Sequence, residues 1–220
     1  DSGIARFKKN DKGFIEVLMQ VNSDESVIVQ TAGNVIKGGT YPYIKSESAP
    51  IEIKGTWNLK FLSGGPSLPA SVTMNELKPW TELKDNSYQV FSGTASYSVH
   101  FKKSSGKSSQ YLLNLGKVYE SAQVFINGKK FATLIGTVFS CKLNNKDLKD
   151  DNLLEIKVSN SMANRIIDLD KRNISWKKFN NTNFPARLPQ NRGSNGLFDA
   201  SKWEPRVSGL AGPVTLTEIE

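Results

Sequence analysis

The chain of 220 residues carries 29 Lys and Arg against 21 Asp and Glu, which gives a formal net charge of +8. A chain of this length can bury a sizeable core, and its single cysteine, Cys141, excludes an internal disulfide. No run approaches the roughly 20 apolar residues that cross a bilayer, so we expect a soluble protein with no membrane partner. The basic residues occur singly or in pairs, such as Lys129-Lys130. They lack the dense stripe typical of nucleic-acid binding, which we therefore do not expect.

The first 33 residues predict a small β segment. Apolar runs at residues 4–7, 14–21 and 26–30 are separated by turn-rich stretches, the pattern of a three-stranded β-meander. Three strands bury too little surface to be stable alone, so this segment should pack on the following domain or be the tail of a preceding one. The chain also opens with Asp1 rather than methionine or a signal sequence, so we expect a fragment or processed product. Residues 34–50 carry Gly, Pro and Tyr without a period and predict a linker.

Residues 51–220 predict one all-β domain, a β-sandwich of the jelly-roll type. Short alternating runs recur about every 10 residues, and nearly every gap is Gly, Asn, Asp or Ser. In residues 121–134 the dipeptide Asn127-Gly128 predicts a two-residue hairpin, because both residues tolerate positive φ. Residues 74–83 and 145–149 predict the only helical turns. The predicted strands are residues 51–61, 87–102, 109–115, 121–126, 129–134, 139–143, 152–159 and 214–219.

About fifty residues, 160–212, show no clear period and predict one long loop. Loops of this length inside a compact domain tend to be functional or ordered by a neighbouring domain. This loop mixes aromatic side chains with polar ones, as a sugar site requires, because a sugar ring stacks its C–H face on an indole while its hydroxyls need polar partners. The alternative is that these side chains anchor the loop to the sandwich. The candidate carbohydrate-binding residues are Asn164, Arg165, Asp168, Trp176, Trp203 and Arg206.

The sequence predicts no catalytic residue. His100, the only histidine, alternates with apolar neighbours and predicts a strand-surface residue, while Cys141 predicts a small core residue. No serine elbow, Walker motif or dinucleotide fingerprint occurs. Trp57 and Trp80 predict core positions. A glycosidase needs two carboxylates about 5 to 10 Å apart, and no pattern selects a pair from Glu120, Asp168, Asp170, Asp199 and Glu204.

Several ordered blocks resemble the sugar-binding, galactose-binding-like jelly-roll domain of family 2 glycoside hydrolases and related α-L-rhamnosidases. The longest block is LGKVYESAQVFINGKK at residues 115–130, which is similar to the signature LGKVYESAEVWVNGK. This chain departs from the family's pattern in having Ile167 before Asp168 where the family has glycine, and in a longer segment between Trp176 and Ser208. The other blocks are GTWNLKF at 55–61, SVTMNELKPWT at 71–81, FSGTASY at 91–97, LLEIKVSN at 153–160, NRIID at 164–168 and SGLAGPV at 208–214.

The resemblance implies a non-catalytic C-terminal accessory domain that binds carbohydrate and docks on the catalytic domain of the same polypeptide. A bacterial glycan-degrading enzyme would place it in the periplasm or outside the cell. Such sandwiches often hold one structural calcium ion, and Asp147, Asp150, Asp151 and Asn152 crowd one turn. Two other functions stay open. A purely structural scaffold would expose Phe184, Leu197 and Phe198 as an apolar patch, and a self-contained hydrolase would bring two loop carboxylates into one pocket.

Overall fold

A computed structural model describes residues 2–21, 23, 25–34, 37–103, 108–177 and 184–220. The fold is nearly all β, with antiparallel pairing between every two neighbouring strands named here. The elements are β1 (Phe7–Lys9), β2 (Ile15–Val17), β3 (Ile51–Glu52), β4 (Trp57–Gly65), β5 (Val72–Met74), α1 (Asn86–Gln89), β6 (Ser92–Lys102), β7 (Gln110–Asn114), β8 (Lys117–Tyr119), β9 (Ser121–Ile126), β10 (Lys129–Ile135), β11 (Ser140–Asn144), β12 (Asp151–Ser159), α2 (Ala163–Lys171), β13 (Gly209–Gly212) and β14 (Thr215–Ile219), with short 3-10 turns at Trp80–Glu82, Asn145–Asp147, Phe184–Arg187 and Pro189–Asn191.

Two sheets enclose one apolar core, which confirms the predicted β-sandwich. The larger sheet has the strand order β10-β9-β12-β6-β4-β5 and the smaller sheet the order β11-β7-β14-β3. Buried side chains of both sheets belong to a single cluster, with Val124 and Ile156 from the larger sheet and Leu113 and Leu216 from the smaller. Each fully buried aliphatic side chain contributes about 1.5 to 3 kcal/mol, so this cluster supplies the main driving force for folding.

Strand β12 illustrates why the sequence alternates as it does. Leu154, Ile156 and Val158 are fully buried, whereas Leu153 and Glu155 point to the opposite face. Side chains in a strand alternate between the two faces of the sheet, so only every second position needs to be apolar. The same period places Tyr97 and Val99 of β6 in the core and leaves His100 exposed, as predicted.

The hairpin of β9 and β10 is confirmed. Ile126 pairs directly with Lys129, and the two residues between them have positive φ, 52° at Asn127 and 81° at Gly128. The side chain of Asn127 adds a tie to β12, because its Oδ1 accepts a hydrogen bond from the Leu153 N–H at 3.0 Å. The turn therefore helps to fix the register of the β9–β10 hairpin against β12, which pairs with β9.

An aromatic cluster closes the end of the sandwich from which α2 projects. Phe61, Trp80 and Phe91 contact one another edge to face, with ring centroids 4.9 to 5.9 Å apart. Trp80 is fully buried, and Trp57 is buried elsewhere in the core, so both core predictions are confirmed. Edge-to-face pairs contribute about 0.5 to 1.5 kcal/mol beyond area burial.

The N-terminal segment has two strands rather than the predicted three. Strands β1 and β2 form a hairpin, whereas residues 26–30 form no strand, and none of the described residues pairs with them in a ladder. Ile28 is 94% exposed, so alternation without a partner strand was not sufficient to make a strand here. Tyr43 links this segment to the chain that follows, because its hydroxyl accepts from the Arg6 N–H and donates to the Leu18 carbonyl. The division at residues 33 and 50 stays a prediction.

Three boundaries in the sandwich also differ from the predictions. The predicted strand at residues 87–102 begins only at Ser92, because Asp85 caps helix α1 by accepting a hydrogen bond from the Ser87 N–H. The predicted strand at 51–61 is divided into β3 and β4. Within residues 74–83 only Trp80–Glu82 is helical. Strands β5, β8 and β13 were not predicted, and each has only three or four residues.

Gly209 provides a test of close packing. It has φ +116°, and a Cβ there would lie 2.5 Å from the Tyr97 hydroxyl oxygen. Gly136 has a similar φ of +104°, but a Cβ at that position would meet no atom within 4 Å. We expect Gly136→Ala to lose about 1 to 2 kcal/mol from backbone strain, and Gly209→Ala to lose about 2 kcal/mol more from overpacking, measured by denaturant unfolding. Equal losses would contradict this account.

Candidate functional site

Helix α2 lies inside the segment predicted as one long loop, so that prediction was wrong there. Its buried residues are Asn164, Ile167, Asp168 and Asp170, and three of these are polar. A buried face made of polar residues hides the apolar 3.6-residue period by which helices are recognised in a sequence. The remaining signal was charge spacing, because Arg165, Asp168 and Arg172 stand three and four residues apart. We call residues 160–177 and 184–208 the α2 lobe.

Two carboxamides fasten the α2 lobe to the sandwich. Asn160 Nδ2 donates to the Phe91 carbonyl and to Ser208 Oγ, both at 3.0 Å, and its Oδ1 accepts from the Gly93 N–H at 2.8 Å. Asn164 Oδ1 accepts from the Arg206 N–H at 2.7 Å, and its Nδ2 donates to the Arg206 carbonyl at 2.8 Å. Because Asn164 is buried and its amide already binds backbone, its contribution to a sugar site would be to position Arg206.

Asp168 holds two arginine side chains at one oxygen. Its Oδ2 accepts from Arg165 Nη1 at 2.8 Å and from Arg172 Nη2 at 2.7 Å. The Asp168 side chain is 11% exposed and that of Arg172 is 48% exposed. The carboxylate therefore fixes two guanidinium groups side by side while one of them remains open to solvent.

Asp170 organises the rest of the lobe, a role that the sequence analysis did not assign to it. Its Oδ1 accepts from Trp176 Nε1 at 2.7 Å and from Lys177 Nζ at 3.1 Å, and its Oδ2 accepts from the Ala200 N–H at 2.8 Å. The side chain is 5% exposed, so these donors replace the water that a carboxylate would otherwise require. No local signal links Asp170 to Ala200, because 30 positions separate them.

The aromatic residues of the lobe form a second, smaller core. Phe198 lies between Trp176 and Trp203, with ring centroids 6.1 and 5.6 Å away in edge-to-face geometry. Ile167, Ala186 and Ala200 belong to the same cluster. Phe198 is only 5% exposed, so the apolar patch expected for a scaffold does not include it. Leu197 is exposed, and the side chain of Phe184 lies outside the described residues.

All six predicted site residues lie in the α2 lobe. Asn164, Arg165, Asp168 and Arg206 are grouped around α2, while Trp176 and Trp203 flank Phe198. Trp203 is half-buried and donates from Nε1 to Asn191 Oδ1 at 3.2 Å, and Arg206 is exposed. The arrangement thus offers an indole edge and guanidinium donors on one lobe. That they bind carbohydrate stays a prediction.

The other titratable candidates lie away from this group. His100 is exposed beside Asp151, with 3.3 Å between Nδ1 and Oδ2. Cys141 is half-buried in β11, and burial raises the pKa of its thiol to about 11, which keeps it protonated at neutral pH. Hydrogen bonds from Ser201 lower the pKa of Asp199 below its usual range.

At the turn predicted to hold calcium, side-chain oxygens of Asp147 and Asn152 accept hydrogen bonds from other protein groups. Asp147 accepts from Lys129 Nζ at 3.0 Å. The buried Asn152 accepts from Asn127 Nδ2 and from the Lys149 N–H, and donates to the Lys149 carbonyl. Within the described ranges, no group of three or more His, Cys, Asp or Glu residues could hold a metal ion. A structural calcium ion at this turn stays a prediction. In the same ranges no helix is long and apolar enough to span a bilayer.

The chain is similar to one part of the chains of known glycoside hydrolases. No model of a known protein family matches the sequence. A protein of Formosa agariphila named "Putative beta-glucuronidase" is 32% identical over 196 residues, which cover 80% of this chain and 16% of that protein. The rhamnosidase of Novosphingobium sp. PP1Y is 25% identical with a TM-score of 0.59, covering 93% of this chain and 17% of that one.

A further neighbour supports the fold alone. The β-glucuronidase of Bifidobacterium dentium has a TM-score of 0.50 at 17% identity, covering 80% of this chain and 30% of that one. This chain spans about a sixth of the length of the Formosa and Novosphingobium proteins. It is therefore similar to one part of larger glycoside hydrolase chains, as an accessory domain would be.

The role of Asp170 predicts a local loss of stability on substitution. In Asp170→Ala, Trp176 Nε1 and the Ala200 N–H lose their acceptor, so we expect the lobe to lose about 2 to 4 kcal/mol. Amide hydrogen exchange should become faster in α2 and near residue 200 while β12 keeps its protection. Asp151→Ala, which removes the exposed contact with His100, is the control and should change little. Uniformly faster exchange across the sandwich would argue against a separately organised lobe.

Proposed function

We propose that this chain is a non-catalytic carbohydrate-binding accessory module of a rhamnosidase-like glycoside hydrolase. The likeness to the Novosphingobium rhamnosidase carries the proposal, because it extends over 93% of this chain yet only 17% of that enzyme. A segment of that size leaves most of such an enzyme for the catalytic machinery. Our module would assist glycan degradation from outside the catalytic domain of the same polypeptide.

The α2 lobe is the part we propose for sugar contact. Trp203 is half-buried and offers its indole, while Arg206 and Arg172 are exposed in the same lobe. A pyranose can stack its C–H face on an indole and accept hydrogen bonds from guanidinium groups at its hydroxyls. Such a shallow site suits millimolar affinity, which corresponds to about 4 kcal/mol.

The loop carboxylates favour this module over a self-contained hydrolase. Asp168 and Asp170 accept hydrogen bonds from arginine, lysine and indole groups, and Asp199 accepts from Ser201. A glycosidase needs two carboxyl groups that face one sugar about 5 to 10 Å apart, whereas these three carboxylates face donors of the protein itself. Because a polysaccharide is too large to enter a cell intact, the module would act in the periplasm or outside the cell.

Trp203 gives the sharpest test of sugar binding. We expect Trp203→Ala to weaken glycan binding about tenfold, and Trp203→Phe to stay within about threefold because a ring remains for stacking. Calorimetric titration with rhamnose, galactose and pectin fragments would measure both, and thermal unfolding would check the fold. Trp176 is less suitable because its indole binds the buried Asp170, which also holds Lys177 and the Ala200 N–H, so its removal would disturb the lobe. If no glycan binds, or if Trp203→Ala binds as well as the parent, the proposal fails.

The apolar N-terminal segment favours a second function, that of a scaffold packed on a catalytic domain. Phe7, Phe14 and Ile28 are strongly exposed, and an open cleft lies between this segment and Leu112 and Cys141 of the smaller sheet. An exposed apolar surface of this kind is typical of a face that another domain covers. In this case the α2 lobe need never meet sugar.

The scaffold function predicts that the isolated chain binds an apolar dye at its N-terminal segment. Phe14→Ser and Ile28→Ser should each reduce dye fluorescence, since both side chains are exposed. Leu68→Ser is the matched control, because Leu68 is an exposed apolar residue of the sandwich. Equal reductions in all three variants would show that the N-terminal segment is not a distinct apolar face.

A further inference from the structure

The positive charge of the chain is concentrated in the α2 lobe and the short segment within it. Residues 160–208 contain nine Lys and Arg against four Asp and Glu, so fewer than a quarter of the residues hold five of the eight excess charges. A local excess of this size attracts anions more strongly than evenly spread charges do. The density of positive charge, and not its sign, therefore distinguishes this part of the chain from the rest.

Three of the four acidic residues of the lobe are engaged by protein donors, and the fourth, Glu204, is exposed. Asp168 accepts from two arginines, Asp170 from Lys177, Trp176 and Ala200, and Asp199 from the Ser201 N–H. Asp168 balances only one of the two guanidinium charges that it holds. A positive charge is therefore left over at that point on α2.

The two guanidinium groups at Asp168 are arranged in advance. Arg165 Nη1 and Arg172 Nη2 both bind Asp168 Oδ2 within 2.8 Å, so these nitrogens lie close together. Each guanidinium has five N–H donors, and the bond to Asp168 uses one of them. Because a nearly buried carboxylate holds both side chains, a ligand would not have to order them, which lowers the entropic cost of binding.

A third arginine, Arg206, is held beside the first turn of the same helix. Its backbone is bound at both the N–H and the carbonyl by the buried amide of Asn164, and its side chain is exposed. Among the described residues, no hydrogen bond, ion pair or ring contact engages its guanidinium. Its position is fixed by the backbone, while its charge remains available.

We propose that Arg165, Arg172 and Arg206 form an anion-binding site on the α2 lobe for the carboxylate or sulfate group of an acidic glycan. This inference rests on the proposed carbohydrate-binding function and adds the class of ligand. A planar guanidinium binds carboxylate or sulfate oxygens through two parallel N–H bonds, a geometry that neutral sugar hydroxyls do not match. Trp203 in the same lobe would contact the sugar ring that carries the anionic group.

The test is calorimetric titration of the full chain with three oligosaccharides of equal length. One carries uronate carboxylates, one carries sulfate esters and one is neutral. We expect either anionic oligosaccharide to bind about tenfold more tightly than the neutral one at low salt, and the difference to shrink as salt is raised. The anionic oligosaccharide that binds more tightly identifies whether the site takes a carboxylate or a sulfate group.

Variants of single basic residues distinguish a specific arginine site from nonspecific electrostatic attraction. Arg172→Gln and Arg206→Gln should each remove most of the preference for anionic ligands, with thermal unfolding little changed, because Arg165 still pairs with Asp168. Lys130→Gln is the control, since it removes the same charge from the exposed edge strand β10. Equal losses in all three variants would overturn the inference. Equal binding of neutral and anionic oligosaccharides would also overturn the inference but would leave the proposed function intact. If none of the three oligosaccharides binds, the proposed function itself is contradicted.

Discussion

The α2 lobe depends on two carboxamides, those of Asn160 and Asn164, which bind the backbone at both ends of a long excursion from the sandwich. Asn160 joins the end of β12 to the start of β6 and to Ser208, and Asn164 closes on both backbone groups of Arg206. Leaving a buried backbone group unpaired costs about 1 to 3 kcal/mol. Nearly fifty residues can therefore leave and rejoin the sheet at a defined place.

The sandwich and the lobe are stabilised by different physical means. In the sandwich, apolar side chains of two sheets fill one core, and polar groups lie mainly in the strand ladders. In the lobe, the apolar cluster around Phe198 is small, and carboxylates at positions 168 and 170 hold arginine, lysine and indole donors around it. Buried charged groups need several directed bonds, which fix side-chain geometry more tightly than apolar contact does. This is why the lobe is suited to presenting arginines in set positions, while the sandwich supplies a rigid base.

Local sequence rules predicted those features whose cause is local. The Asn127-Gly128 turn followed from the φ values that these two residues tolerate, and the exposure of His100 followed from strand alternation. The run at residues 26–30 alternates in the same way yet forms no strand, because a ladder also requires a partner that none of the described residues provides. Helix α2 was missed because its sequence lacks the apolar period of a helix. Its buried face is made of Asn164, Asp168 and Asp170, whose burial becomes favourable only once distant donors surround them.

The sequence by itself determined the all-β class, the core positions of Trp57 and Trp80 and the segment in which the candidate site lies. Each of these depends on periodicity, turn chemistry or composition within a short stretch of chain. Only the tertiary structure decided that Asn164 anchors backbone, that Asp168 holds two arginines and that Asp170 reaches the Ala200 N–H. Those roles depend on contacts between residues up to 42 positions apart, as between Asn164 and Arg206. Such contacts exist only when the sandwich has brought both ends of the lobe together, so no local pattern could have revealed them.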